Sequence, residues 1–265
     1  MSIQGKQRTN AFSVRWRSCR SVLLHGDELH CSLEPEKTYD LAEAYGDKPH
    51  FHFMRADSDD ELRRFICAWG PLYIPNGQIP ADTTVRLPLS LCRAYQRRMN
   101  SVVRALTAFR LGTGEREALE ELLAAILTAA QGELDPYFLI RFRITGDVLE
   151  WARKISITDV RAATNHLIDN VLTPMFHLRL ALRHSGNRRV VEAGWTFMNL
   201  EEALRWMIWY DEFNERPIIC CAECLEIFRG DSARARKYCS DTCGHKATAR
   251  KAMRKKRASL REEEE

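Results

Sequence analysis

Two short cysteine pairs, Cys221-Ala222-Glu223-Cys224 and Cys239-Ser240-Asp241-Thr242-Cys243, stand fourteen residues apart toward the end of the 265-residue chain. Thiolates bind zinc, and four of them at this spacing suit one tetrahedral ion. The ligand set expected is therefore Cys221, Cys224, Cys239 and Cys243 around a single Zn2+. Four protein ligands leave no position for water or substrate, so the metal would be structural rather than catalytic. Two neighbours compete for a place. Cys220 makes Cys220-x-x-x-Cys224 an alternative first pair, and His245 follows Cys243 by two residues. Knuckle spacing favours Cys221, and Cys243 lies nearer the usual ligand distance than His245.

Positioning these sulfurs makes demands on local structure. Cys221-x-x-Cys224 suits a tight knuckle. The four-residue step from Cys239 to Cys243 matches one helical turn, which puts both sulfurs on the same face. Ser240 is a natural N-cap, and the positive end of the helix it opens favours thiolate. Phe228 and Tyr238 supply a small apolar core. Knuckle, hairpin and a helix carrying the last ligand together make a treble-clef zinc finger. A module of this size buries too little surface to fold alone, so metal binding would supply on the order of 10 kcal/mol of its folding free energy.

Beyond the cysteines the charge changes character. Residues 229–261 hold twelve Lys or Arg against Asp231 and Asp241, a local charge of +10, although the whole chain carries only +4. Glu262 to Glu265 return four negative charges, and residues 1–228 sum to −2. Polarity of this kind directs attention to polyanions. On a helix running from Asp241 to about Ala258, Lys246, Arg250, Arg254 and Arg257 share one face, with Lys251 and Lys255 beside it. Arg236 and Lys237 precede the helix. These eight cations are the candidate phosphate contacts. Asn and Gln, the usual adenine readers, are absent from the segment, so base readout would fall on Arg.

The rest of the chain reads as α+β: a mainly helical N-terminal domain, residues 1–215, with short antiparallel strands. Residues 216–258 form the zinc finger with its basic helix, and 259–265 an acidic tail. Short strands are expected over residues 11–56, including Phe51-His52-Phe53-Met54. A helix starts near Asp57–Asp60 and stops at Gly70-Pro71, and Thr83–Leu87 suits a strand. Leu91 to Phe109 and Glu115 to Ala130 form an αα-hairpin around Gly112-Thr113-Gly114. Phe138–Ile144 and Leu149–Ile155 suit a strand pair. From Thr158 a helical pattern runs to His184, with Pro174 expected to kink or split it. Asn199 with Glu202 caps a last helix that ends at Asn214–Pro217.

Other chemistry-bearing residues carry less. His50 and His52 would share a strand face, but no further ligand accompanies them, and His30-Cys31 lacks an orienting partner. Asp57, Asp59, Asp60 and Glu61 fit a helix N-terminus better than a carboxylate pair. Trp206 and Trp209 suit packing, and no glycine-rich phosphate loop is present. A treble-clef nuclease would need a His base and further His or Asp ligands, yet residues 211–242 contain no His and His245 stands alone, so no enzymatic activity is expected. Nine cysteines with four at metal spacing suit a reducing cytoplasm. The basic first twenty residues lack the apolar core of a secretory leader, and no apolar run is long enough to span a membrane.

Cys221-x-x-Cys224, Phe228, Arg236-Lys237-Tyr238-Cys239-Ser240 and Cys243-Gly244-His245-Lys246, followed by a basic helix, resemble the CGNR-type zinc finger. That module closes a family of bacterial proteins proposed to be transcription regulators. The resemblance covers about residues 216–257, and the family's Cys-Gly-Asn-Arg signature stands here as Cys-Gly-His-Lys. It implies a zinc-dependent DNA-binding regulator, with DNA favoured over RNA as partner. The alternative is an RNA-binding or protein-interaction module in which zinc is only a structural clip. The helical pairs would allow a homodimer, and residues 1–215 a small-molecule effector.

Overall fold

The computed structural model describes residues 13–16, 18–34, 37–40, 45–73, 84–131, 156–172, 177–185, 188–197, 200–230 and 236–262. The chain is mixed helix and strand and divides into two compact units, residues 1–96 with 169–209, and residues 97–168 with 210–265. The cysteine-bearing segment shares its unit with residues 97–168. No helix among the described residues is long and apolar enough to cross a membrane.

In the first unit, β1 (Ser13–Trp16) pairs antiparallel with β4 (Lys37–Asp40). A three-stranded antiparallel sheet runs in the order β2 (Cys19–His25), β3 (Glu28–Leu33), β5 (Thr84–Pro88). Alternation buries Leu29, Cys31 and Leu33 on one face of β3, with Val85 and Leu87 of β5 beside them. Gly26, at φ 62°, lets the chain reverse between β2 and β3.

Helices α1 (Pro49–Arg55) and α2 (Asp59–Trp69) bury Phe53, Met54, Leu62, Phe65 and Ile66, and the rings of Phe53 and Phe65 lie 5.2 Å apart. Here the sequence reading needs correction, because Phe51–Met54 is helical. Pro49 fits the first turn of a helix, where its missing N–H is no loss. His50 and His52 therefore do not share a strand face. His50 is fully buried against the ring of Tyr45, while His52 is exposed. The acidic cluster does open α2. Ser58 Oγ accepts the Glu61 N–H, and the Glu61 carboxylate accepts the N–H groups of Ser58 and Asp57, which hold it below the usual carboxylate range. Ser58→Ala is expected to cost about 1 kcal/mol in urea denaturation.

A second correction falls beyond Pro174, where the helical pattern is expected to resume. Helix α5 (Ile157–Leu172) ends before the proline, and residues 177–185 do not continue the helix. They form β6 (His177–Ser185), paired antiparallel with β7 (Arg188–Thr196) from His177↔Thr196 to Ser185↔Arg188. Leu178, Leu180 and Leu182 alternate with polar or small residues, a strand period that a helical pattern cannot satisfy. The predicted strands at 138–155 and the Asn199 cap lie outside the described residues.

In the second unit, the end of α3 (Leu89–Leu111) and α4 (Glu115–Gln131) form the expected helical hairpin, turning through Gly112 and Gly114 at φ 62° and 70°. Val102, Val103, Leu119, Leu122, Leu123 and Ile126 are buried. Arg161 of α5 forks onto the Glu115 carboxylate at 2.7 and 2.5 Å, and Arg104 pairs with Glu121. Of helix α6 (Leu200–Phe213) only the end, from Tyr210, belongs to this unit, and the helix stops before Pro217, as its sequence predicts.

Candidate metal centre

The first cysteine pair sits in the turn of a short hairpin. Strands β8 (Ile218–Cys220) and β9 (Ile227–Arg229) pair antiparallel, with Ile219 opposite Phe228. At the turn, Cys221 N–H donates to the Glu226 carbonyl at 2.8 Å and Leu225 N–H to the Cys221 carbonyl at 2.9 Å. Gly230 closes the hairpin beside Ile219: a Cβ there would lie 2.5 Å from the Ile219 Cδ1, so no larger residue fits without displacement. The second pair is brought alongside by main-chain bonds. Ala222 N–H donates to the Lys237 carbonyl at 3.0 Å, and Cys239 N–H to Cys221 Sγ at 3.4 Å. Ser240 then caps α7 (Asp241–Glu262), its Oγ accepting the Cys243 N–H at 3.3 Å.

These elements gather four sulfurs. Cys224 Sγ lies 3.5 Å from Cys239 Sγ, Cys239 Sγ lies 3.6 Å from Cys243 Sγ, and all four lie within 4.8 Å of one another. Tetrahedral zinc with Zn–S bonds of about 2.3 Å sets its sulfurs about 3.8 Å apart. The cluster fits that ion without rearrangement of the chain. Among the described residues no other group of three or more such side chains converges in this way.

Protonation supports the same fit. Burial opposes the Cys221 thiolate, yet N–H groups of Cys224, Cys239 and Glu223 aimed at the sulfur bring the group down to about 7. Cys239 moves the other way, to about 12, through burial and the neighbouring thiols of Cys224, Cys243 and Cys221. Four thiolates cannot crowd together unaided, whereas a divalent cation stabilises the fully ionised set. Ile219, Phe228 and the part-buried Tyr238 pack against Cys221 and Cys243, which gives the site its apolar backing.

Both competing ligands are excluded by position. Cys220 turns away from the cluster: its thiol donates to the Leu225 carbonyl at 3.2 Å, its N–H reaches Thr107 Oγ1 at 3.0 Å, and burial pushes its thiol up. His245 is exposed on the first turns of α7 and takes no part in the cluster.

Long-range contacts secure the hairpin, and sequence reasoning missed them. Arg229 reaches both oxygens of the fully buried Asp211 at 2.7 and 3.1 Å. Arg110 pairs with Glu212 and donates to the Ile218 carbonyl at 3.1 Å. Nothing local in the sequence signals these partners. Asp211→Asn is expected to lower stability by about 3 kcal/mol in thermal unfolding, because it leaves Arg229 without its carboxylate.

The cations divide into two groups. Arg236, Lys237, Lys246, Lys251, Arg254 and Arg257 are exposed, and Lys255 lies on the same helix. Arg250 has an additional role: its Nη2 lies 2.7 Å from Glu223 Oε1, whose side chain is 8% exposed. A residue inside the first cysteine pair thus grips the helix that carries the last cysteine. With 22 residues, α7 extends about 33 Å, and beyond Arg250 its described side chains are exposed all round. Compared with protein-family models, curated proteins and solved structures, the chain shows no significant match.

Proposed function

We propose that the four cysteines hold a structural zinc ion and that the zinc module aims α7 at nucleic acid, with duplex DNA as the favoured partner. One observation carries this reading. The helix whose first turn supplies Cys243 continues as an exposed cationic rod, so the metal site determines where Lys246, Arg254 and Arg257 point. A metal-fixed rod of like charge costs self-repulsion between residues three and four apart, a cost that phosphate would relieve. In the fuller form of this reading, the module is a treble clef of CGNR type in a cytoplasmic, non-enzymatic transcription regulator. Its remaining residues would respond to a small-molecule effector or form a dimer.

The experiment is a mobility-shift series with the zinc-loaded full chain over increasing salt, on duplex DNA and on RNA of matched sequence. Binding to DNA that weakens steeply with salt is expected, and its absence at low salt would overturn the reading. A second reading makes the zinc module a folding clip for RNA or protein interaction. The ties from Arg229 to Asp211 and from Cys220 to Thr107 favour it, since they join the hairpin to α6 and α3. Under that reading, deleting residues 251–265 leaves partner binding unchanged.

A further inference from the structure

Resting on the zinc reading but not on the nucleic-acid one, we propose that Cys224 is a peroxide-modification site whose oxidation ends in a Cys224–Cys239 disulfide and releases the metal. Exposure selects the first residue. All nine cysteines are among the described residues, and Cys224 alone is exposed. Cys19, Cys31, Cys92, Cys220, Cys221 and Cys243 are buried, while Cys67 and Cys239 are half-buried. Oxidation of sulfur follows thiolate character and access. A bound divalent cation keeps all four ligands as thiolates, so access decides among them. The metal cluster thus places in solvent the one cysteine of the chain that an oxidant meets first.

Distance and freedom to move select the second. Cys224 Sγ lies 3.5 Å from Cys239 Sγ, and a disulfide needs about 2.05 Å, so closure takes a shift of about 1.5 Å. Cys239 precedes the Ser240 cap and is not held by the hydrogen-bond ladder of α7. Cys243 lies 3.6 Å from Cys239, but it is buried within the first turn, its N–H fixed by Ser240 Oγ. Cys221 is buried too, and its sulfur accepts the Cys239 N–H at 3.4 Å. The reaction balances with hydrogen peroxide. The Cys224 thiolate attacks one oxygen, the O–O bond breaks, and a sulfenic acid and hydroxide form. The Cys239 thiolate then attacks the Cys224 sulfur, and its S–O bond breaks to release a second hydroxide. Two sulfurs give up two electrons in all, and one peroxide with two protons becomes two waters. Cys221 and Cys243 remain, half of a tetrahedral set and too few to retain zinc. Cys243 then no longer ties the first turn of α7 to the knuckle.

The test treats the zinc-loaded full chain with hydrogen peroxide while a chromogenic chelator reads free zinc. Mass-spectrometric mapping without reductant then locates the disulfide, with fragmentation separating Cys221 from Cys224 and Cys239 from Cys243. One zinc is expected to leave per peroxide consumed, with Cys224 joined to Cys239 and a fall in helix signal by circular dichroism. Dithiothreitol and zinc should reverse all of these changes. Cys224→His keeps a fourth ligand that cannot form the disulfide, and is expected to hold zinc and release it about tenfold more slowly. Cys67→Ser should release zinc at the wild-type rate. A Cys221–Cys224 or Cys239–Cys243 disulfide in the wild type, or zinc retained through excess peroxide, overturns the proposal while the zinc reading stands. A fully reduced chain that binds no zinc overturns the zinc reading and this proposal with it.

Discussion

Replacing Cys243 by Ser is expected to abolish zinc retention and to unfold the segment from Cys221 to the first turns of α7. The hydroxyl is a poor zinc ligand, and a three-thiolate site opened to water binds the ion far more weakly. Apart from the Glu223–Arg250 ion pair, little else holds the module together. The apolar backing consists of Ile219, Phe228 and part-buried Tyr238, and the main-chain bonds from Ala222 and Cys239 depend on the two cysteine pairs staying side by side. Metal binding is worth on the order of 10 kcal/mol in modules of this kind, more than those contacts supply. Circular dichroism should show lost helix with the variant, and strong chelation of wild type should give the same spectrum. The hairpin strands beside α3 and α6 are expected to persist, because Asp211, Glu212 and Thr107 anchor them without metal.

Removing cations from α7 while leaving its docking intact should separate binding from folding. Lys246→Ala, Arg254→Ala and Arg257→Ala combined avoid Arg250, whose loss would leave the buried Glu223 carboxylate unpaired. Zinc content and thermal stability should match wild type. Affinity for duplex DNA should fall by about two orders of magnitude, about 1 kcal/mol per lost phosphate contact, and the slope of log affinity against log salt should become shallower by about three. An unchanged slope would place the nucleic acid elsewhere on the chain or remove it from the account. Arg250→Ala tests a different link: it should weaken binding through a misdirected helix, and Glu223→Ala on the same background should add little further loss.

The convergence of the four cysteines was legible because its information is local. Each pair lies within five residues, and the step from Cys239 to Cys243 already implies the helical turn that Ser240 opens. The helical hairpin of α3 and α4 and the acidic start of α2 were legible for the same reason, through period and end signals. Two short apolar segments misled. Phe51–Met54 has strand-favouring aromatics, but Pro49 opens a helix there, with Phe51, Phe53 and Met54 buried and His52 exposed. Residues 177–185 looked like the continuation of a helix, although Leu178, Leu180 and Leu182 alternate. What tethers the site could not be read at all. Asp211 with Arg229, Thr107 with Cys220 and Glu223 with Arg250 are pairs made by tertiary approach, and neither partner's sequence neighbourhood marks the other.

The central claim, one tetrahedral thiolate site that sets the direction of α7, is tested most directly by cobalt substitution of the full chain. Cobalt titrated into metal-free protein is predicted to saturate at one ion per chain with the intense visible bands of tetrahedral thiolate coordination, to restore the helix signal lost on chelation, and to be displaced by zinc. Weak octahedral-type absorption, or full helix content in the metal-free chain, would contradict it.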